Sequence, residues 1–330
     1  MRHDTREGKA GSHTMAAVLT GSAAELTETL ASPGRPRGRS RRQRTIADNL
    51  AAYLFMAGGI ACFAAFSWYP IVRGIFLSFQ QTNFVTDPEW VGFANFQAIF
   101  ADPLFWTAWR NSLYFTVLAL VFGYAVPFVA AVLLNELRHF TGFLRVTVYL
   151  PVMLPPIVSV LLWQYFYDPG PGLFNSVLRG LGMPTSEWIQ STDTAMISLV
   201  LVSTWANMGA STIIYLAGLQ AISGELYEAA ELDGAGLWRR IRHVTIPQMR
   251  FLLVVMLLLQ IIATMQVFIE PYRLTGGGPE NATVTVLLLI YRYAFVTNYD
   301  FGLATAMSVL LFVVLAAFSA IYLRLTRRAD

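Results

Sequence analysis

The sequence predicts an all-α integral membrane protein with six transmembrane helices. Three observations lead there. Of 330 residues, 55% are hydrophobic, 14% aromatic and only 13% charged, and the mean hydropathy is +0.52, too apolar for an ordinary soluble fold. Six runs have the roughly 20 apolar residues needed to cross about 30 Å of hydrocarbon. The charged side chains lie outside those runs, so no span must carry an ion through lipid.

In chain order the spans are expected near Leu50 to Val72, Ser112 to Leu134, Val146 to Tyr167, Ala195 to Leu219, Phe251 to Ile269 and Phe301 to Leu323. Pro127 should bend the second. Pro151, Pro155 and Pro156 interrupt the third, because proline removes a backbone donor and crowds the preceding turn. Thr283 to Val296 is a shorter apolar run that suits an interfacial or re-entrant helix, and Gly276, Gly277, Gly278 and Pro279 make the turn into it.

Residues 1–45 read as a disordered, arginine-rich tail ahead of a transmembrane domain over 46–330. The tail predicts no cleavable signal peptide, since it lacks a short apolar core followed by a small-residue cleavage site. Six arginines fall between Arg35 and Arg44. Such a run suits nucleic acid or a topology signal, and beside a span the topology reading is favoured. Placing the tail in the cytoplasm also puts Arg138, Arg145, Arg239, Arg240, Arg242, Arg250, Arg324, Arg327 and Arg328 inside. Arg73, Arg110, Arg179, Arg273 and Arg292 fall outside, so the positive-inside bias gives both termini to the cytoplasm. The single cysteine, Cys62, excludes an intrachain disulfide and is expected to be a buried small hydrophobe.

One segment breaks the apolar pattern. Glu228 to Pro247, EAAELDGAGLWRRIRHVTIP, holds three carboxylates and three arginines. At about 2.5 to 3.5 kcal/mol each at a helix centre, burying these six in lipid would cost on the order of 15 to 20 kcal/mol. The segment therefore lies outside the bilayer, on the cytoplasmic side of the predicted topology. Locally it reads as two short helices, with Ser223 as N-cap of the first and Gly234 and Gly236 breaking the chain. The second, carrying Trp238, Ile241 and Thr245 at helical spacing, should end where Pro247 leads into the fifth span. Ala229 and Ala230 admit close approach of another backbone, and Glu228 offers an acceptor for a partner's arginine.

Glu228, Ala229 and Ala230, followed after three residues by Gly234 and then by Ile246 and Pro247, resemble the signature loop of binding-protein-dependent ABC importer permeases. The stretches VGFANFQAIFADPLFWTAWRNSLYFT (Val91 to Thr116), RVTVYLPVMLPPIVSVLLWQYFY (Arg145 to Tyr167), LTGGGPENATVT (Leu274 to Thr285) and YDFGLATAMSVLLF (Tyr299 to Phe312) are similar to the carbohydrate branch, the maltose and glycerol-3-phosphate permease class. The pair Ile246-Pro247 stands where the family more often has Leu-Pro. This resemblance implies a type I ABC importer permease fold. It also implies a loop at about 220–250 that couples to a cytoplasmic ATPase dimer through Glu228, Ala229, Ala230, Asp233, Gly234, Ile246 and Pro247. The implied partners are a second homologous permease, the ATPase pair with its ATP and Mg, an extracellular solute-binding protein and a sugar.

The residues themselves agree that energy must come from elsewhere. A P-loop needs a lysine in the frame GxxxxGK, and the only lysine, Lys9, lacks the upstream glycine. No cofactor is expected on this chain, nor a metal, since the four histidines are scattered and no HExxH run occurs. Proton relays need ionisable groups at membrane depth, and the predicted spans lack them, with Glu270 only at the outer end of the fifth. The alternative is an ion-coupled secondary transporter using broken-helix carbonyls at the third span. For a solute pathway the candidates are Trp163, Gln164, Tyr165, Trp205, Asn207, Gln260 and Gln266, polar or amphipathic groups that are costly in a span unless they line a cavity or find partners.

Overall fold

Without water, backbone groups in a span must pair within the chain, so the apolar runs resolve as helices. The computed structural model describes residues 52–53, 55–83, 85–136, 141–297 and 299–326. The tail expected over 1–45, and Arg138, Arg327 and Arg328 of the topology argument, lie outside the described residues.

Contacts divide the chain into two units. In Met1–Tyr69 the described residues form the start of helix α1 (Phe55–Leu77), whose side chains are largely exposed. Cys62 is exposed there, not buried as expected. An apolar residue on a span can face lipid as readily as a neighbour, so its polarity says nothing about packing.

The second unit, Pro70–Asp330, holds the rest of the bundle. After α1 come two short antiparallel strands, Gln80–Gln81 and Glu89–Trp90, and helix α2 (Ala94–Ala101). Helix α3 (Pro103–Glu136) is longer than the expected second span because Asp102 caps it nine residues earlier, accepting from the Leu104 N–H at 2.8 Å ahead of a proline in the first turn.

The third span is broken. Helices α4 (Thr141–Met153) and α5 (Pro156–Phe166) meet at 106° across Leu154 and Pro155. Pro155 is extended, with ψ 137°, as the residue before a proline prefers, and no helix continues through it. Helix α6 (Leu173–Gly180) precedes the fourth span, α7 (Ala195–Gln220). Then follow α8 (Gly224–Leu232), α9 (Leu237–Met265), the short apolar α10 (Val286–Thr297) and α11 (Phe301–Thr326). Among the described residues five helices can cross a bilayer, or six with the bent pair as one span.

The second short helix and the fifth span are one helix, contrary to expectation. Pro247 does not interrupt it because a π segment, Ile241–Thr245, ends two residues before the proline. The wider turn shifts the carbonyl ladder by one residue, which relieves the clash that proline makes with an α-helix. The same arrangement recurs in α3, where the π segment Leu120–Tyr124 lies just before Pro127.

The core is three clusters. Phe115, Leu199 and Val202 centre one on α3 and α7. Ile99, Phe105, Val286 and Met307 join α2, α3, α10 and α11. Ala131, Tyr215 and Met249 join the far end of α3 to α7 and α9.

Candidate functional site

Two features stand out: a charged loop at one end of the bundle and a largely apolar cavity with several polar groups inside it. The loop is built on α8. Asp233 ends that helix, and Gly234 follows with φ +71°, a left-handed conformation that costs a side chain dearly. From there the Gly234 N–H donates to the Glu231 carbonyl and the Ala235 N–H to the Ala230 carbonyl, each at 2.9 Å. These two bonds close a Schellman turn and satisfy carbonyls that a helix end leaves free. Ser223 occupies the N-cap position, but its hydroxyl makes no capping bond.

Glu228, Ala229, Asp233, Gly234, Ile246 and Pro247 are all exposed, and Ala230 is half-buried. Large apolar side chains share this surface: Leu232 is 90% exposed and Trp238 is 74% exposed. Ile222 and Ile241 pack the loop against the third core cluster, and polar contacts add to this. The Tyr227 hydroxyl meets Thr245 Oγ1 at 3.0 Å. Arg240 pairs with Glu231 on α8 and with Glu136, at the end of α3, at 3.2 Å.

The cavity, about 750 Å³, opens where the third span breaks. Ser159 and Val160 of α5, Ser203, Thr204, Asn207 and Ser211 of α7, Met256 and Gln260 of α9, and Gln266 just past its end line it in part. Three of the expected pathway residues, Asn207, Gln260 and Gln266, line this cavity. The Gln260 amide fits because residue 123 is glycine: a Cβ there would lie 2.7 Å from Nε2. Four others do not line it. Trp163 and Trp205 pack against each other, centroids 5.7 Å apart, and Trp163 also packs on Tyr167 and Phe174. Tyr165 is 61% exposed. Gln164 faces a second pocket of about 380 Å³ with Asp168, Gln190 and Thr275.

Sequence reasoning missed Ser159, Ser203, Thr204 and Glu270. Small hydroxyl residues are common in spans, where they bond their own helix carbonyls, and so give no distinctive signal. Ser159 is 2% exposed, and its hydroxyl, like that of Thr204, is buried with no partner in the chain. Glu270 sits beyond the end of α9 and lines the cavity, where it accepts from the Ser203 hydroxyl. Loss of hydration pushes its carboxyl above the ordinary carboxylate range.

The LTGGGP run, ahead of α10 in the chain, is anchored to the second span. Asn111, buried on α3, donates to the carbonyls of Asn281 at 2.9 Å and Val284 at 3.0 Å. Ser112 Oγ accepts from the Val286 N–H at 3.0 Å, and Arg292 donates to the Gly276 carbonyl at 2.6 Å. Two of the quoted stretches thus form one structural unit.

A bundle of lipid-length helices around a cavity that carries amide and hydroxyl groups, with a charged loop exposed at one end and no P-loop in its sequence, defines a multi-pass membrane permease subunit. Its family follows from comparison: the chain belongs to the binding-protein-dependent transport system inner membrane components, matching that family over residues 123–330. It is the permease subunit of an ABC importer, systems in which a separate subunit hydrolyses ATP, and not the ion-coupled secondary transporter held as the alternative. The chain is 34% identical over 284 residues to the probable ABC transporter permease protein YurN of Bacillus subtilis, covering 84% of this chain and 96% of that protein. It is 31% identical to the trehalose/maltose transport system permease protein MalF of Thermococcus litoralis, over 83% of this chain and 93% of that one. A bacterial ABC transporter involved in the import of the acidic polysaccharide alginate has the same fold, with a TM-score of 0.77 over 88% of this chain and 99% of that chain, at 24% identity.

Proposed function

We propose that this chain carries a sugar or oligosaccharide across the cytoplasmic membrane. An extracellular solute-binding protein delivers the sugar, a second homologous permease closes the open side of the cavity, and a cytoplasmic ATPase dimer with ATP and Mg drives the cycle. Both termini and the α8 loop face the cytoplasm in this reading, which the arginine distribution supports.

The cavity carries the proposal. Its volume of about 750 Å³ suits a small saccharide, and its lining mixes the amides of Asn207 and Gln260 with hydroxyls and apolar walls. Sugars are recognised by that combination. The trehalose/maltose relative supports the same solute class. Energy enters through Glu228, Ala229, Ala230, Asp233 and Gly234, with Ile246 and Pro247 beside them. Closure of the ATPase dimer displaces this exposed knob, and the spans exchange an outward-open for an inward-open arrangement. Coupling of this kind requires different contacts at the loop in the two states.

The test is Glu228→Lys. Membrane insertion should be unchanged, uptake should be abolished, and co-purification of the vanadate-sensitive ATPase should weaken. Normal uptake by this variant would sink the docking role.

A further inference from the structure

The cavity lining is one-sided in charge. Among the described residues that line it, Glu270 is the only ionisable side chain, and no arginine, lysine or histidine faces it. Its remaining polar groups are neutral: Ser159, Ser203, Thr204, Asn207 and Gln260 among them. The buried hydroxyls of Ser159 and Thr204 lack partners in the chain, so they are free to bond the hydroxyls of a solute. We infer that this cavity takes uncharged or amino sugars and excludes anionic ones such as uronates and sugar phosphates, with Glu270 as the residue that sets the charge of the solute. This rests on the carbohydrate reading given above.

The reasoning is electrostatic. A carboxylate or phosphate entering a cavity walled by apolar helices gives up its hydration, and only a cation or several aligned donors can replace it. Here it meets the Glu270 carboxyl, whose ionised form repels it over the width of the cavity. A sugar ammonium is attracted by the same group, and a neutral sugar hydroxyl bonds it in either protonation state. The Ser203 hydroxyl positions the carboxyl from α7.

The experiment uses the whole complex, this chain with its partner permease and ATPase, in lipid nanodiscs without the solute-binding protein. Saturation-transfer NMR measures binding of three disaccharides of equal size: maltose, its diamino analogue and its diuronate analogue. Maltose and the amine should bind, and the diuronate should bind about tenfold more weakly or worse, the discrimination one like charge produces at this range. Glu270→Gln should shrink that difference to about threefold or less, and Glu270→Asp should retain it. Should Glu270→Gln fail to assemble, Ser203→Ala, which releases the carboxyl, should change the amine-to-diuronate ratio. Diuronate binding equal to maltose binding, or a ratio that no variant moves, overturns the inference alone. Binding of none of the three by a complex that still hydrolyses ATP overturns the carbohydrate reading and this inference with it.

Discussion

The Arg240 guanidinium reaches the Glu136 carboxylate at 3.2 Å while its other terminal nitrogen holds Glu231. One side chain therefore joins the exposed α8 to the end of the second span, 104 residues away in sequence. A partly exposed ion pair contributes little to stability, about 1 kcal/mol or less. Its value is geometric: under the proposed coupling, displacement of α8 is passed to α3 through it. Arg240→Met should leave expression and ATPase association near normal while uptake falls about fivefold, the factor that about 1 kcal/mol represents. ATP hydrolysis measured against transport in the same vesicles reads this as a change in stoichiometry.

The turn after α8 should be as sensitive as the helix itself. Gly234→Val forces a β-branched residue to φ near +71°, at a cost of about 1–2 kcal/mol, and opens the Schellman bonds. Protection of the Gly234 and Ala235 amides in hydrogen exchange should fall, and ATPase co-purification with it. Unchanged protection would remove the turn from the account.

Asn111 ties the LTGGGP run to the second span through two carbonyls. Asn111→Ala leaves both without that donor in a buried site, a loss of about 1–3 kcal/mol. Thermal unfolding in detergent should shift down, and amides between Asn281 and Val286 should exchange faster than those of α8.

Gly123 makes room for Gln260. Gly123→Ala pushes on the far end of a flexible amide, so folding should be nearly unaffected, whereas saccharide binding should weaken about fivefold, the value of one neutral hydrogen bond. Equal binding by the variant would show that the Gln260 amide does not touch the solute.

Several features were legible in the residues alone. Each span is a run of apolar side chains long enough to cross lipid, and that count is local, which is why the fourth and sixth spans begin at the expected Ala195 and Phe301. The exclusion of Glu228 to Pro247 from lipid follows in the same way from the cost of its charges. The turn at Gly234 could be read because a break after a helix is set by the backbone conformation of a few consecutive residues.

The cavity could not be read so. The spans are apolar on every side, so no periodicity separates a face toward lipid from a face toward a neighbour. Only packing shows that Asn207 and Gln260 share a cavity while Trp163 and Trp205 pack on each other. Only the 106° bend brings Ser159 to that cavity. The sequence determined which segments enter the membrane, because hydrophobicity sums along the chain. Tertiary structure decided which polar groups meet, because a meeting depends on rotation and crossing of helices far apart in sequence.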